Sequence, residues 1–151
     1  MIVEAISRRF GASALQATVF RGETTITTER KTLLPLGRFL RDEPGLAFTF
    51  LSDLCAVDLH PRTPRFQVVY HLFAPAAGHR LRVKVPLDGE DAVIDSVTGI
   101  WETADWHERE CFDLFGIRFR NHPDLRRILL PETFEGHPLR KDFPLGGPTE
   151  P

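Results

Sequence analysis

The sequence predicts an α+β fold: a two-layer domain with helices on one face of a mainly antiparallel or mixed sheet, plus an extended, proline-rich C-terminal arm. Three observations carry this. Amphipathic segments and β-branched runs follow one another in the order that stacks helices on antiparallel strands. In "HRLRVKVPLD" the residues Leu81, Val83 and Val85 alternate with Arg80, Arg82 and Lys84, the pattern of a strand with one wet face. Beyond Phe119, Pro123, Pro131, Pro138, Pro144, Pro148 and Pro151 recur at intervals too short for a helix between them. Each proline fixes its own dihedral and pushes the preceding residue toward extended geometry. Residues 1–119 therefore read as the α+β domain and 120–151 as the arm.

The elements follow in order. Val3, Ile6 and Phe10 recur at helical spacing, which predicts a short opening helix stopped at Gly11. "LQATVFRGETTITTER" has two β-branched stretches around Arg21-Gly22-Glu23 and reads as a hairpin. In "TLLPLGRFLRDEPG" the residues Leu33, Leu36, Phe39 and Leu40 share one face of a second helix, closed by Pro44-Gly45. Three strands follow in "LAFTFLSDLCAVD", "RFQVVYHLFAP" and "HRLRVKVPLD"; Asp88 to Ser96 reads as a connection. A third helix is expected from Trp101 to Phe115, with Trp101, Ala104, Cys111, Leu114 and Phe115 on its buried face and Gly116 ending it.

Composition excludes several classes. Hydrophobic residues at 42% and charged residues at 26% are those of a folded domain large enough to need no disulfide or metal. A net charge of −2 argues against a general nucleic-acid binder. Cys55 and Cys111 cannot supply the four ligands of an iron–sulfur cluster or a cysteine-rich zinc site, and two free thiols are expected. "MIVEAISRRF" lacks the apolar core of a secretory signal, and no run approaches the ~18 apolar residues of a membrane span. The expectation is a soluble chain that meets a membrane only through partners.

The charged helix is the place to look for chemistry. Glu102, Asp105 and Glu108 lie near one face, and Glu110 with Asp113 forms a second pair. Close carboxylates can raise one pKa and make a general acid. However, Arg109 stands four residues from both Asp105 and Asp113, so ordinary helix-surface ion pairing explains much of the pattern and is the favoured reading. The six histidines show no HxxxH, HxH or HExxH spacing, so no metal site is indicated, and His71 reads as a hydrogen-bonded sheet residue. A free-standing acid–base or metal hydrolase would have to use the acidic helix with His122 or His137. No GxGxxG, phosphate loop or GxSxG elbow is present. Cys111 reads as an inert core thiol. Toward the C-terminus, Arg118, Arg120, Arg126, Arg127, Arg140 and Lys141 are interleaved with Asp124, Glu132, Glu135 and Asp142, and mixed signs suit a protein partner better than nucleic acid.

Three blocks are more specific. Glu108-Arg109-Glu110-Cys111-Phe112-Asp113-Leu114-Phe115-Gly116-Ile117, His122-Pro123-Asp124-Leu125-Arg126-Arg127-Ile128-Leu129 and Gly136-His137-Pro138-Leu139-Arg140-Lys141-Asp142-Phe143-Pro144-Leu145 follow in that order. Together they strongly resemble the 30-kilodalton subunit family of proton-translocating NADH:quinone oxidoreductase, the respiratory complex I of bacteria and mitochondria. "FLSDLCAVDLHPRTPRFQVVYHLF", "RLRVKVPL" and "SVTGIWETADWHERE" are similar to the same family, so the resemblance runs from about Phe50 onward. Phe134 departs from it, standing where the family leads one to expect tryptophan.

The resemblance implies a non-catalytic peripheral-arm subunit on the cytoplasmic side of the cell membrane. It would carry no cofactor of its own; FMN and iron–sulfur clusters would belong to partner subunits. Its partners would be the hydrogenase-like large subunit of the quinone site and cluster-bearing subunits of the peripheral arm. Equivalent subunits serve plastoquinone-reducing and membrane-bound hydrogenase complexes. The expected interface residues are Glu108, Glu110, Asp113, His122, Arg126, Arg127, Leu129, Leu130, Phe134, His137, Leu139, Arg140, Lys141, Asp142 and Phe143. The arginine pair Arg126-Arg127, bonded to the acidic helix or to a partner, would hold the arm off the domain surface. Leu129, Leu130, Phe134, Leu139 and Phe143 would then bury against the large subunit for affinity, with the arginines, His122 and His137 setting register.

Overall fold

The computed structural model describes residues 2–11 and 15–147, so Pro148 and Pro151 of the arm lie outside the described residues. The chain runs α1 (Ile2–Phe10), β1 (Leu15–Phe20), β2 (Glu23–Thr28), α2 (Leu33–Asp42), β3 (Phe50–Asp58), β4 (Phe66–Ala74), β5 (His79–Leu87), β6 (Val93–Asp95), α3 (Ala104–Phe115) and β7 (Arg118–Arg120). Five strands form a mixed sheet in the order β1-β2-β5-β4-β3, with only β2 and β5 parallel. That parallel pair needs a long crossover, and α2 lies within it.

The alternation in the strands decides which face is covered. Ile26, Val83, Tyr70 and Leu54 come into register across four strands, and all four are buried. Ile6 of α1, Leu33, Leu36 and Leu40 of α2, and Ala104 and Cys111 of α3 join them in one apolar cluster. The neighbouring row, Thr25, Arg82, His71 and Asp53, points to the opposite face. The hairpin turns through Arg21 and Gly22, both with positive φ, and β1 remains an exposed edge strand.

Two parts differ from expectation. The connection at 88–96 contains β6, which pairs in parallel with β7, so α3 is the crossover of a small β-α-β unit. Ile94 and Phe119 are buried at its centre. The third helix starts at Ala104 rather than Trp101. Trp101 sits in the preceding turn, and its indole Nε1 donates to the Phe48 carbonyl at 2.9 Å in the interior. The buried stripe of α3 is Ala104, Glu108 and Cys111, with Leu114 and Phe115 only half-buried, so an acid occupies a core position of the helix.

Trp101→Phe keeps an aromatic ring but leaves the Phe48 carbonyl without its donor. We expect a loss of about 1–3 kcal/mol in denaturant unfolding; an unchanged midpoint would show that this bond does not hold the turn to the sheet.

A candidate docking surface at the joint of helix and arm

The end of α3 sets the local problem. The last carbonyls of a helix have no partner within it. Gly116, at φ 73°, turns the chain and its amide closes on the Phe112 carbonyl. The next three carbonyls are satisfied by the arm. Asp113 O accepts from His137 Nδ1 at 2.9 Å and Arg127 Nη1 at 3.0 Å, Leu114 O from the Leu139 amide at 3.1 Å, and Phe115 O from Arg140 Nε at 2.6 Å. A Cβ added at Gly116 would lie 2.6 Å from both Arg140 Nη2 and His137 Cδ2. Left-handed geometry and the close approach of the arm both require glycine here.

The Asp113 side chain fixes the root of the arm. It is fully buried. Oδ2 accepts the consecutive amides of Ile128, Leu129 and Leu130 at 3.0, 2.8 and 2.9 Å, while Oδ1 pairs with Arg127 Nη1 at 2.7 Å. Burial alone would raise its pKa. The Leu130, Leu129 and Ile128 amides and the Arg127 guanidinium outweigh burial and hold it below the usual carboxylate value. Arg127 also donates to the carbonyls of Phe134 and Gly136, both at 2.9 Å, so one guanidinium gathers three places on the chain. From the helix, Arg109 donates to the carbonyls of Arg126 and Arg127.

Further out, Asp58 at the end of β3 accepts from Arg65 and from the Lys141 amide, and Arg65 bridges to Asp142. Those bonds, the Arg65 side chain first, hold the Asp58 carboxyl well below its ordinary range. Phe134 and Phe143 stack on each other at 6.1 Å.

The expectation that ion pairs hold the arm away from the domain is therefore corrected. The arm is laid on the domain, because it supplies the donors that the helix end and the Asp113 carboxylate lack. Of the expected interface residues, Glu108 and Asp113 are buried, and Arg127, His137 and Arg140 bond within the chain. Arg126 is exposed and pairs with Asp124 at 2.7 Å. Leu130, Phe134 and Phe143 are half-buried, Glu110 and Lys141 exposed.

His122 is enclosed near the helix start. The Asp124 amide donates to its Nδ1, so Nε2 carries the proton of the neutral ring and donates to the Asp105 carbonyl at 3.0 Å. Glu108 lies beneath it, Oε2 3.9 Å from His122 Nε2, while Oε1 accepts the Val97 amide at 2.7 Å. Burial pushes Glu108 up to about 7, against its hydrogen bonds from Ser96 and Val97, and Asp105 adds to the rise. His137, two helical turns away, is lowered by burial and by Arg140 and Arg127, against its bond to Asp113. Its neutral ring donates from Nδ1. The two histidines are thus struts at separate places and do not converge with the acidic helix on one reacting centre.

Large apolar side chains stay exposed at the joint. Leu129 and Leu139 are 61% and 53% exposed, and Trp106, on the polar side of α3, is 70% exposed. An open groove of about 670 Å³ runs between helix and arm, lined by Trp106, Leu129, Ile128, Asp105 and Glu110 among others. Sequence reasoning missed Trp106; the available signal was a large aromatic outside the apolar stripe.

The fold and the joint define a small α+β domain whose C-terminal segment is locked onto it and exposes an apolar groove beside acidic residues. Comparison with known proteins gives the family. The profile of "respiratory-chain NADH dehydrogenase, 30 Kd subunit" matches residues 26–149. An NADH-quinone oxidoreductase subunit of Citrifermentans bemidjiense is 48% identical over 143 residues, 95% of this chain and 88% of that one. The subunit of the same name from Roseiflexus sp. is 46% identical over 145 residues, 96% and 83% of the two chains. Among solved structures, a trypsin-resistant Nqo5 fragment (1–134) superposes with a TM-score of 0.70 at 32% identity, covering 83% of this chain and all of that one. A chain from the membrane-bound sulfane sulfur reductase, an archaeal respiratory membrane complex, superposes with 0.80 at 25%, covering 95% and 84%. The chain belongs to the 30 Kd subunit family of respiratory-chain NADH dehydrogenase.

Ionisation of Glu108 should show in stability. Its folded value of about 7 lies above the unfolded one, about 4.3. Within that window the folded chain binds the extra proton, so stability is greatest below it, falls as pH rises through it, and levels off above. Glu108→Gln keeps the acceptor for Val97 and removes the fall. Its advantage in Tm over the parent should grow from about pH 5 to about pH 8, corresponding to on the order of 3 kcal/mol. Parallel Tm curves would contradict this.

Proposed function

We propose that this chain is a non-catalytic, peripheral-arm subunit of a proton-translocating NADH:quinone oxidoreductase, on the cytoplasmic side of the cell membrane. Its task is to dock the hydrogenase-like subunit of the quinone site and to keep it in place beside cluster-bearing subunits. FMN and iron–sulfur clusters are carried by those partners, and this chain holds none. No described helix is long and apolar enough to cross a membrane, which fits membrane contact through the assembly.

The observation that carries this reading is the groove with Trp106 and Leu129 exposed on a joint otherwise bonded to itself. The buried polar groups Asp113, Arg127 and Arg140 have partners within the chain, so the main binding energy of the groove is assigned to its apolar side chains. Each large side chain is worth about 1.5–3 kcal/mol when fully buried, against ~0–1 kcal/mol for a rim ion pair. Asp105 and Glu110 beside the groove favour a partner segment with basic residues flanking its apolar anchor.

A second reading has its own support. The likeness to a chain of the sulfane sulfur reductase complex shows one scaffold in a different redox assembly. On that reading the docking role is unchanged and the electron acceptor differs. Affinity purification of the tagged chain, with NADH:quinone reductase activity of the recovered assembly, separates the two.

Truncation before Pro131 would strip the donors that cap α3, so point changes are the cleaner test. Trp106→Glu and Leu129→Asp replace exposed groups and should leave the stability of the isolated chain unchanged within about 0.5 kcal/mol. Both should sharply reduce recovery of partner subunits and quinone reductase activity. Full assembly with both changes would refute docking at this groove.

A further inference from the structure

The row of side chains on edge strand β3 that does not enter the core, flanked by His107 of α3, holds a second constellation. Asp53 and Cys55 are two residues apart on β3 and so point the same way. His71 on β4 is the direct cross-strand partner of Asp53. That pairing depends on a bulge: the register shifts between Leu51 and Asp53, making Ser52 the extra residue and placing Asp53 opposite His71. Bulges of this kind re-aim side chains beside functional sites. One carboxylate oxygen, the Cys55 sulfur and one imidazole nitrogen lie within 4.8 Å of one another. Ligands 2.0–2.3 Å from a tetrahedral metal are roughly 3.3–3.8 Å apart, so modest side-chain rotations would close the set.

We propose that Asp53, Cys55 and His71 form a binding site for a Zn²⁺-class divalent cation, with a fourth position open to water or to another side chain. The donor set decides the class of metal. Mixed sulfur, nitrogen and oxygen ligands suit Zn²⁺, whereas Mg²⁺ and Ca²⁺ take oxygen. His107 of α3 approaches Asp53, Nδ1 to Oδ1 at 3.7 Å, and is a candidate for the fourth position. The charge balance is favourable. Asp53 and Glu110 place carboxylate charge beside Cys55, which favours a cation there. Arg82, the residue in register with His71 on the far side, is drawn away by Glu23 at 2.6 Å and Thr25 at 3.2 Å. His71 borders a surface groove with Ser52, so an ion reaches it from solvent. A bound ion would clasp edge strand β3 to β4 where the bulge interrupts their ladder.

The three-ligand set does not rest on the family reading, and of the proposed ligands only His107, offered for the fourth position, also lines the docking groove. The test uses the purified full chain and its Cys55→Ser, His71→Ala and Cys111→Ser variants, with circular dichroism to confirm each fold. Co²⁺ as probe should give a near-ultraviolet thiolate charge-transfer band in the parent and in Cys111→Ser, and none in Cys55→Ser. Competition with a chromophoric chelator should show a single Zn²⁺ equivalent, weakened about 10–100-fold or more by Cys55→Ser or His71→Ala. Zn²⁺ should raise Tm of the parent and not of Cys55→Ser. Absence of the cobalt–thiolate band in the parent overturns the proposal. So does Zn²⁺ binding that both ligand substitutions leave unchanged, or a band lost only in Cys111→Ser.

Discussion

The root of the C-terminal arm depends on one carboxylate. Asp113 is fully buried near the end of α3, and a buried charge persists only if it is paired and hydrogen-bonded. The chain meets that demand with three successive amides and the Arg127 guanidinium, all from the arm. The arrangement works in both directions. Asp113 supplies the acceptor that a non-regular segment lacks, and the arm supplies the donors that the helix terminus lacks. A proline-rich, extended stretch is ordered in this way without any ladder or helix of its own.

This arrangement separates two roles that charge and hydrophobicity played together in the sequence. Asp113, Arg127 and Arg140 of the joint act inward. They fix the arm, close α3 and leave Gly116 no room for a side chain. The apolar groups that remain outside, Trp106, Leu129 and Leu139, are held on a rigid base. A docking surface benefits from such preorganisation, because fewer rotamers and less backbone must be ordered on binding. Glu108 beneath His122 is the exception, a core acid whose ionisation opposes folding near neutral pH.

Strands β3, β4 and β5, the Arg21-Gly22 hairpin and the first two helices were legible because each extends through several periods of its own pattern. The two three-residue strands β6 and β7 were not, since a single alternation carries no signal. Helical periodicity placed Glu108 and Asp113 on a solvated surface, because the groups that bury them lie 11 and 14–17 residues away. The resemblance pointed to the segment where helix and arm meet, yet it could not say which of its residues face inward. Asp53 and Cys55 show strand spacing in the sequence, but their match with His71 needs a bulge that no local pattern announces. Trp106 is a different case: its place outside the apolar stripe was itself readable.

If Asp113 holds the arm, the amides it accepts must be protected in the native chain. The direct measurement is residue-resolved hydrogen exchange at Ile128, Leu129 and Leu130, with the β4 amides as an internal reference, in the parent and in Asp113→Asn. The account predicts strong protection of the three arm amides in the parent. In the variant they should exchange rapidly while β4 stays protected. Rapid exchange in the parent, or equal protection in both proteins, would contradict the claim that this carboxylate organises the arm.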